Sequence, residues 1–342
     1  MKQTIIGLAL CAVLAWGVWQ QRPEPVQNDV VHRELFALGT LIQISVAGHI
    51  EPAVMNQAQA ALTDLETRWS VLGDGDLAQL NKTLQTQTSA PLPSTLQAGF
   101  AAARQLCLDS GGRFDPGVGD LVRLWGFDDE DHFRTTPPPA DQLNAALQQR
   151  SSLCDSHIAP QTVVVVDQVP ARFDFGASAK GRAVDEVIAL LQAAGIHNAI
   201  INAGGDIKVI GRRAQRAWRI GIRHPRPVDG RTMLASLEVH DGEAIFTSGD
   251  YERFFIDNGV RYHHILDPRT GLPAMGSQSA TVLHNSAERA DAAATALFVA
   301  GAQDAASVMQ QMGVDSWLLV DANGRLHASD AMRARIPDLA SQ

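Results

Sequence analysis

Residues 199–206 read Ala199-Ile200-Ile201-Asn202-Ala203-Gly204-Gly205-Asp206, an apolar strand over 199–202 that runs into a glycine turn. The same grammar recurs downstream. Short runs at 218–222, 235–239, 244–247 and 262–266 carry β-branched or aromatic residues and are separated by turn residues, which predicts strands. Strands that follow one another without an intervening helix pair antiparallel, because a parallel neighbour needs a long crossover. The expected fold class is therefore α+β, largely antiparallel mixed sheets with packed helices, rather than a doubly wound parallel sheet.

Working outward, residues 163–166 and 173–175 predict two more strands, and 178–194 a helix closed by Gly195. Residues 32–46 alternate well enough for a strand interrupted by Gly39, and 52–69 carries apolar residues at helical spacing. A second helix is expected over 94–109, capped by Ser94 and stopped by Gly111-Gly112. The three prolines within 135–140 mark a surface loop. Towards the C-terminus, 287–299 and 302–312 predict two helices, and 318–321 with 325–328 a last strand pair. No repeat of 20 to 50 residues is visible.

The chain has 342 residues, 45% of them hydrophobic, enough for one large domain or two closely joined ones. Its 28 basic and 37 acidic residues leave a formal charge of -9. No Lys/Arg-rich run of the kind that grips nucleic acid or acidic lipid stands out, so nucleic acid is not an expected partner. Lys2 precedes an uncharged apolar run over 5–19, and a Pro/Gln/Glu-rich stretch follows over 20–28. Residues 1–28 thus read as a signal or anchor segment with its spacer, and 29–342 as the functional domain. The apolar run is short for a span, which needs about 20 residues. Cys11 resembles a lipobox cysteine, but Leu10 is bulky where a small residue belongs. A cleaved signal, a retained anchor and a lipoprotein signal stay open. Cys107 and Cys154 show no metal spacing, and two buried free thiols are preferred to a disulfide between them.

Five islands place Gly, Asp, Thr or His where a plain core would have aliphatics: 113–119 (RFDPGVG), leading into 124–127 (LWGF); 174–181 (DFGASAKG); 202–206 (NAGGD); 247–253 (TSGDYER), followed by 261–271 (RYHHILDPRTG); and 290–295 (ADAAAT). A glycine turn entering a helix exposes amides that hold phosphate, and Lys180 would add a charge, although many helices begin after such a turn. His263 and His264 are adjacent, so on a strand they face opposite sides and only one can enter a given pocket. Asp291 and Thr295 are four apart on a helix and share a face, as two oxygen ligands of a hard cation must. The plainer reading of that pair is a helix-capping aspartate and a threonine bonded to its own backbone.

Taken in this order, the islands resemble the ApbE family, the FAD:protein FMN transferases, over about residues 35–319. The late blocks TSGDYERF (247–254), HHILDPRTG (263–271) and ADAAATAL (290–297) are the most specific. The resemblance implies a T-fold-like ApbE fold, FAD as donor substrate, and Mg2+ held by Asp291, Thr295 and the carbonyl of Ala177. It implies FAD contacts at Leu38, Arg113, Phe114, Asp115, Asp174, Lys180 and, through its backbone, Ile265. His264 matches the position proposed as general base, and His263 is expected to tolerate substitution far better. There are departures: Gly176-Ala177-Ser178 stands where the family commonly has a Gly-Gly or Gly-Ser pair followed by a β-branched residue, and 69–76 lacks an aromatic-rich segment of the flavin pocket, with only Leu80-Asn81 fitting well.

The reaction implied is phosphoryl transfer, in which FAD is split and FMN is attached to a threonine or serine while AMP leaves. The implied acceptors are subunits of membrane redox complexes, such as sodium-pumping quinone reductases or related electron-transfer complexes. The implied location is the periplasmic side of the bacterial inner membrane, reached through the N-terminal segment. Two rivals share these residues: a Mg-dependent FAD pyrophosphatase giving FMN and AMP, and a non-catalytic periplasmic flavin-binding protein.

Overall fold

The computed structural model describes residues 30–128, 134–159, 162–164, 171–213, 216–228 and 230–336. The predicted signal or anchor segment, with Cys11, lies outside them. The first part of the chain runs β1 (Val30–Ala37), β2 (Thr40–Ala47), α1 (Pro52–Trp69), α2 (Asp76–Leu84), β3 (Ser89–Pro91), α3 (Ser94–Asp109), a 3-10 turn (Pro116–Val118), α4 (Gly119–Trp125), α5 (Ala140–Gln149), β4 (His157–Ala159) and β5 (Thr162–Val164). The second part runs α6 (Ala179–Ala193), β6 (Ala199–Ala203), β7 (Asp206–Ile210), β8 (Trp218–Val228), β9 (Arg231–Val239), β10 (Ala244–Gly249), β11 (Phe254–Asp257), β12 (Val260–His263), β13 (Ser277–His284), α7 (Ala287–Gln311), β14 (Ser316–Asp321), β15 (Leu326–Ala328) and α8 (Asp330–Arg335).

An eight-stranded sheet ordered β1-β2-β6-β7-β10-β13-β14-β15 forms the spine, and its neighbours pair antiparallel. The α+β expectation therefore holds. Strand side chains alternate between faces, and here both faces are covered. Phe246 and Val282 face α1, α6 and α7, where Leu62, Leu65, Val187 and Leu297 complete the main core. Their neighbours Ile245 and Leu283 face the β8–β9 ribbon and α8, meeting Trp218, Leu237 and Met332. A third cluster joins Leu121, Trp125 and Phe127 to Phe255 and Leu266, with Tyr262 packed against it. Full burial of each such large side chain is worth about 1.5–3 kcal/mol.

Several sequence expectations change. The single strand at 32–46 is a hairpin whose two turn residues, Leu38 (φ 55) and Gly39 (φ 70), take the left-handed conformations that tight antiparallel turns demand. Ser94 is the first residue of α3, and Pro93 occupies the cap. Residues 173–175 are extended but join no ladder. The two C-terminal helices form one run, α7, broken only at Gly301 (φ 64, ψ -177). Cys107 and Cys154 are joined in a disulfide, with 5.4 Å between their Cα atoms. Free thiols were expected because no periodic signal pairs cysteines 47 residues apart; α3 and the loop after α5 bring them together.

Candidate functional site

The approach to α6 is fixed by Asn81. Its side-chain amide donates to the Phe173 carbonyl and its oxygen accepts from the Phe173 N–H, both at 2.8 Å, supplying two bonds that a neighbouring strand would make. Phe173 and Phe175 are buried against Phe100, and Trp69 meets Phe175 edge-on at 4.8 Å. Asp174 lies between them, half-buried, with Oδ1 accepting from the Gly176 N–H at 2.7 Å. The turn at 176–178 then opens α6. Ser178 caps α6, so the N–H of Gly181, its third residue, has no partner within the helix; it donates to Asp291 Oδ2 at 2.9 Å. Among the described residues, the Ala177 carbonyl accepts no hydrogen bond.

That bond requires α6 and α7 to touch at backbone distance. Gly181 permits it, since a Cβ there would lie 2.2 Å from the Ala287 carbonyl oxygen. The start of α7 is pinned: Asp185 accepts from the Ala287 and Glu288 N–H groups at 3.1 Å, and Lys208 Nζ donates to Asp185 at 2.6 Å. One turn further in, Asp291 is buried. Thr295 follows on the same face, its Oγ1 3.1 Å from Ser248 Oγ on β10.

Lys180 forms an ion pair with Asp206, and Asp206 Oδ1 also accepts the Thr247 N–H at 2.9 Å. Burial alone would lower the Lys180 pKa, but Asp206, Asp291 and Glu252 more than reverse this, so the ammonium form is held. Burial pushes the Asp291 carboxyl up, with Lys180 and the Gly181 N–H pulling the other way. A carboxylate, a hydroxyl and an unpaired carbonyl are hard oxygen donors suited to a magnesium-like cation completed by phosphate oxygens and water. Among the described residues, no three His, Cys, Asp or Glu side chains gather as a zinc-type site would need. The donor set fits Mg2+.

The adjacent histidines diverge as strand geometry demands. His263 is buried against Phe298, with Nε2 donating to the Ala274 carbonyl at 3.1 Å and Nδ1 accepting from the Ile265 N–H at 3.3 Å. His264 is half-buried, edge-on to Phe127. Its backbone N–H and its Nδ1 both reach the Arg253 carbonyl, at 3.1 and 3.3 Å. A carbonyl only accepts, so Nδ1 carries the proton and Nε2 keeps a lone pair. Burial, reinforced by the Arg253 charge and His263, holds the imidazole well below its usual pKa, so it is neutral and able to take a proton at pH 7. Lys180 also weighs on it, which places the two within electrostatic reach.

Residues 38–318 match the ApbE family. The chain belongs to the ApbE family. It is 36% identical over 339 residues to an FAD:protein FMN transferase of Rhodobacter capsulatus, covering 96% of this chain but only 62% of that relative. To the FAD:protein FMN transferase of Treponema pallidum it is 34% identical, covering 97% of this chain and 96% of the other. Among solved structures it resembles the ApbE protein of Thermotoga maritima (TM-score 0.80, 30% identity, 90% of this chain and 99% of that one) and the flavin transferase ApbE of Vibrio cholerae (TM-score 0.79, 30% identity, the same coverage). These relatives are enzymes, as is this ApbE-family chain.

Lys180 lies within electrostatic reach of both Asp291 and His264, Thr295 follows one turn beyond Asp291, and Asp174 and Ala177 precede Lys180 on the approach to α6. Leu38 sits at the β1–β2 turn in a left-handed conformation costly for a branched side chain, its N–H held by Glu66 at 2.9 Å. The segment 113–115 is different. Phe114 is core, Arg113 pairs with Asp304, and Asp115 is tied to Arg150, Ser152 and the Gly117 and Leu153 N–H groups. Both main-chain groups of Ile265 are engaged within the protein as well. Asp206 and Ser248 were not singled out in the sequence, though each lies in a motif island; an aspartate directly after Gly204-Gly205 was the available signal. His263, expected to be tolerant, bonds through both ring nitrogens and so matters to the fold.

Proposed function

We propose that this chain is an FAD:protein FMN transferase. The hydroxyl of an acceptor threonine or serine attacks the FMN phosphorus of FAD; a phosphoester bond forms as the bond to the AMP phosphate oxygen breaks, and AMP leaves. The observation that carries the reading is the placing of buried Asp291, with Thr295 on the same face of α7, beside the cationic Lys180. In this reading Asp291, Thr295 and the Ala177 carbonyl would hold Mg2+, which supplies charge neutralisation at the pyrophosphate. Lys180 stays cationic and binds phosphate oxygens, exchanging part of its contact with Asp206. His264 Nε2 takes the acceptor's proton, and the Arg253 carbonyl keeps the ring in the required tautomer. The relatives' shared name supports the same reading.

In this reading the enzyme works outside the cytoplasm, held at the membrane by residues 1–28. The Cys107–Cys154 disulfide supports an oxidising compartment. The acceptor class, subunits of membrane redox complexes such as sodium-pumping quinone reductases, rests on the family resemblance. The test incubates the protein with FAD, Mg2+ and threonine-containing acceptor peptides, followed by mass analysis. FMN-labelled peptide with one AMP per label is the expected result. FMN and AMP released without any label would make the protein a pyrophosphatase, and FAD left intact would make it a carrier.

A further inference from the structure

Thr295 departs from three other helical threonines of this chain. Thr63 and Thr67 in α1 and Thr83 in α2 each donate the hydroxyl to the carbonyl four residues back, at 3.3, 3.0 and 3.1 Å, the usual way in which a helix absorbs that group. Among the described residues, Thr295 makes no such bond. Its Oγ1 reaches out of α7 to Ser248 Oγ on β10, at 3.1 Å. A helical threonine divides between two side-chain rotamers according to whether it serves its own backbone, so the partner it finds decides where Oγ1 lies.

Ser248 is a rigid partner. Its backbone lies opposite Ala280 in the β10–β13 ladder, and its side chain shares the face of β10 that Phe246 turns towards α7. Ser248 and Thr295 are both half-buried, whereas Ala292, Ala293, Ala294 and Ala296 around Thr295 are fully buried, so this pair is where that stretch of α7 meets solvent. A hydroxyl carries one proton and two lone pairs. A cation bound to Thr295 takes a lone pair and repels the proton, so the O–H has to point at an acceptor away from the ion. Ser248 Oγ is that acceptor, and groups that orient a ligand in this way set the affinity of a metal site along with the ligands themselves. We infer that Ser248 is a positioning residue of the metal site: it accepts the Thr295 proton, turns a Thr295 lone pair towards the cation, and so sets the Mg2+ affinity of the Asp291–Thr295 pair. This rests on the Mg2+ site of the transferase reading and adds a residue to it.

The experiment measures the Mg2+ concentration that half-saturates FAD binding to the full-length protein, without acceptor, by flavin fluorescence anisotropy. Ser248→Ala should raise that concentration about 10- to 100-fold, with FAD affinity at saturating Mg2+ and the melting temperature close to wild type. Thr295→Val should raise it at least as far. Ser248→Ala added to Thr295→Val should raise it no further, since the serine acts only through the threonine hydroxyl. Thr281→Val breaks a different hydroxyl pair, between Thr281 Oγ1 and Thr247 Oγ1 at 2.9 Å on the other face of the sheet, and should leave the Mg2+ requirement unchanged. A wild-type Mg2+ requirement in Ser248→Ala, full additivity of Ser248→Ala with Thr295→Val, or an equal effect of Thr281→Val overturns the positioning role and leaves the metal site standing. Wild-type FAD binding that ignores Mg2+ removes the metal site, and this role with it. Transfer itself is decided separately, by labelling of the acceptor peptides.

Discussion

Asp115 and Asp291 are nearly equally buried, 4% and 5% exposed, and each belongs to a motif island that the family resemblance assigns to the site. Their surroundings differ. Asp115 accepts from two backbone N–H groups and the Ser152 hydroxyl and pairs with Arg150, so its charge is answered by the 3-10 turn that it caps and by the loop that follows α5. Among the described residues, Asp291 accepts one direct hydrogen bond, from Gly181, and the Ala177 carbonyl accepts none. A buried carboxylate surrounded by donors is a brace. One with a single direct hydrogen-bond donor has lone pairs left for an external cation.

The largest expected effect follows from that contrast. Asp291→Ala should lower Mg2+-dependent turnover by about 10³-fold or more, with a melting temperature close to wild type; near-normal turnover at limiting Mg2+ would remove Asp291 from the metal site. His264→Ala should lower labelling of the acceptor roughly 10²- to 10⁴-fold while FAD binding, followed by flavin fluorescence, stays as it was. Labelling that survives this substitution means that another group, or water, takes the proton.

Asp115→Ala should act on the other side of the comparison. It strands Arg150 and two buried amides, a loss of about 3–5 kcal/mol, read as a lower urea midpoint. Turnover per folded molecule should change only a few-fold; a stable but inactive variant would turn Asp115 from brace into site residue. Reducing the Cys107–Cys154 disulfide should cost about 2–4 kcal/mol for a closed loop of this length. The disulfide and the Asp115 network hold the same loop at residues 150–154, so the two losses combined should fall short of their sum. Full additivity would show that the two braces act independently.

The smallest effect is a pH dependence. Burial lowers the His263 pKa to about 4, below its ordinary 6.5 in the unfolded chain. Between those values the unfolded state binds the proton and the native state does not. The contribution is therefore fully present above pH 6.5 and is lost as pH falls towards 4, by up to about 3 kcal/mol. His263→Asn should flatten that part of the stability profile. An unchanged slope would assign it to other groups.

Local pattern carried much of this molecule. Apolar spacing located α1, α3 and α6 within a residue or two, because each buries one stripe and ends at a glycine or a turn residue. The succession of short strands after 199 announced an antiparallel sheet. Adjacent histidines on a strand had to face apart, and Asp291 and Thr295 had to share a helix face. Other features depended on partners far away in the chain. Residues 173–175 look like a strand but take their strand-like bonds from Asn81, 92 residues earlier. The cysteines pair across 47 residues. Both Asp115 and Asp291 are acidic residues among glycines or alanines in one dimension. Which becomes a brace and which stays open depends on donors brought by other elements: the loop after α5 supplies three groups to Asp115 and the 3-10 turn that Asp115 caps a fourth, while the close approach of α6 at Gly181 supplies one to Asp291. Hydrogen-bond satisfaction is a property of three-dimensional neighbours, and composition and periodicity do not encode it.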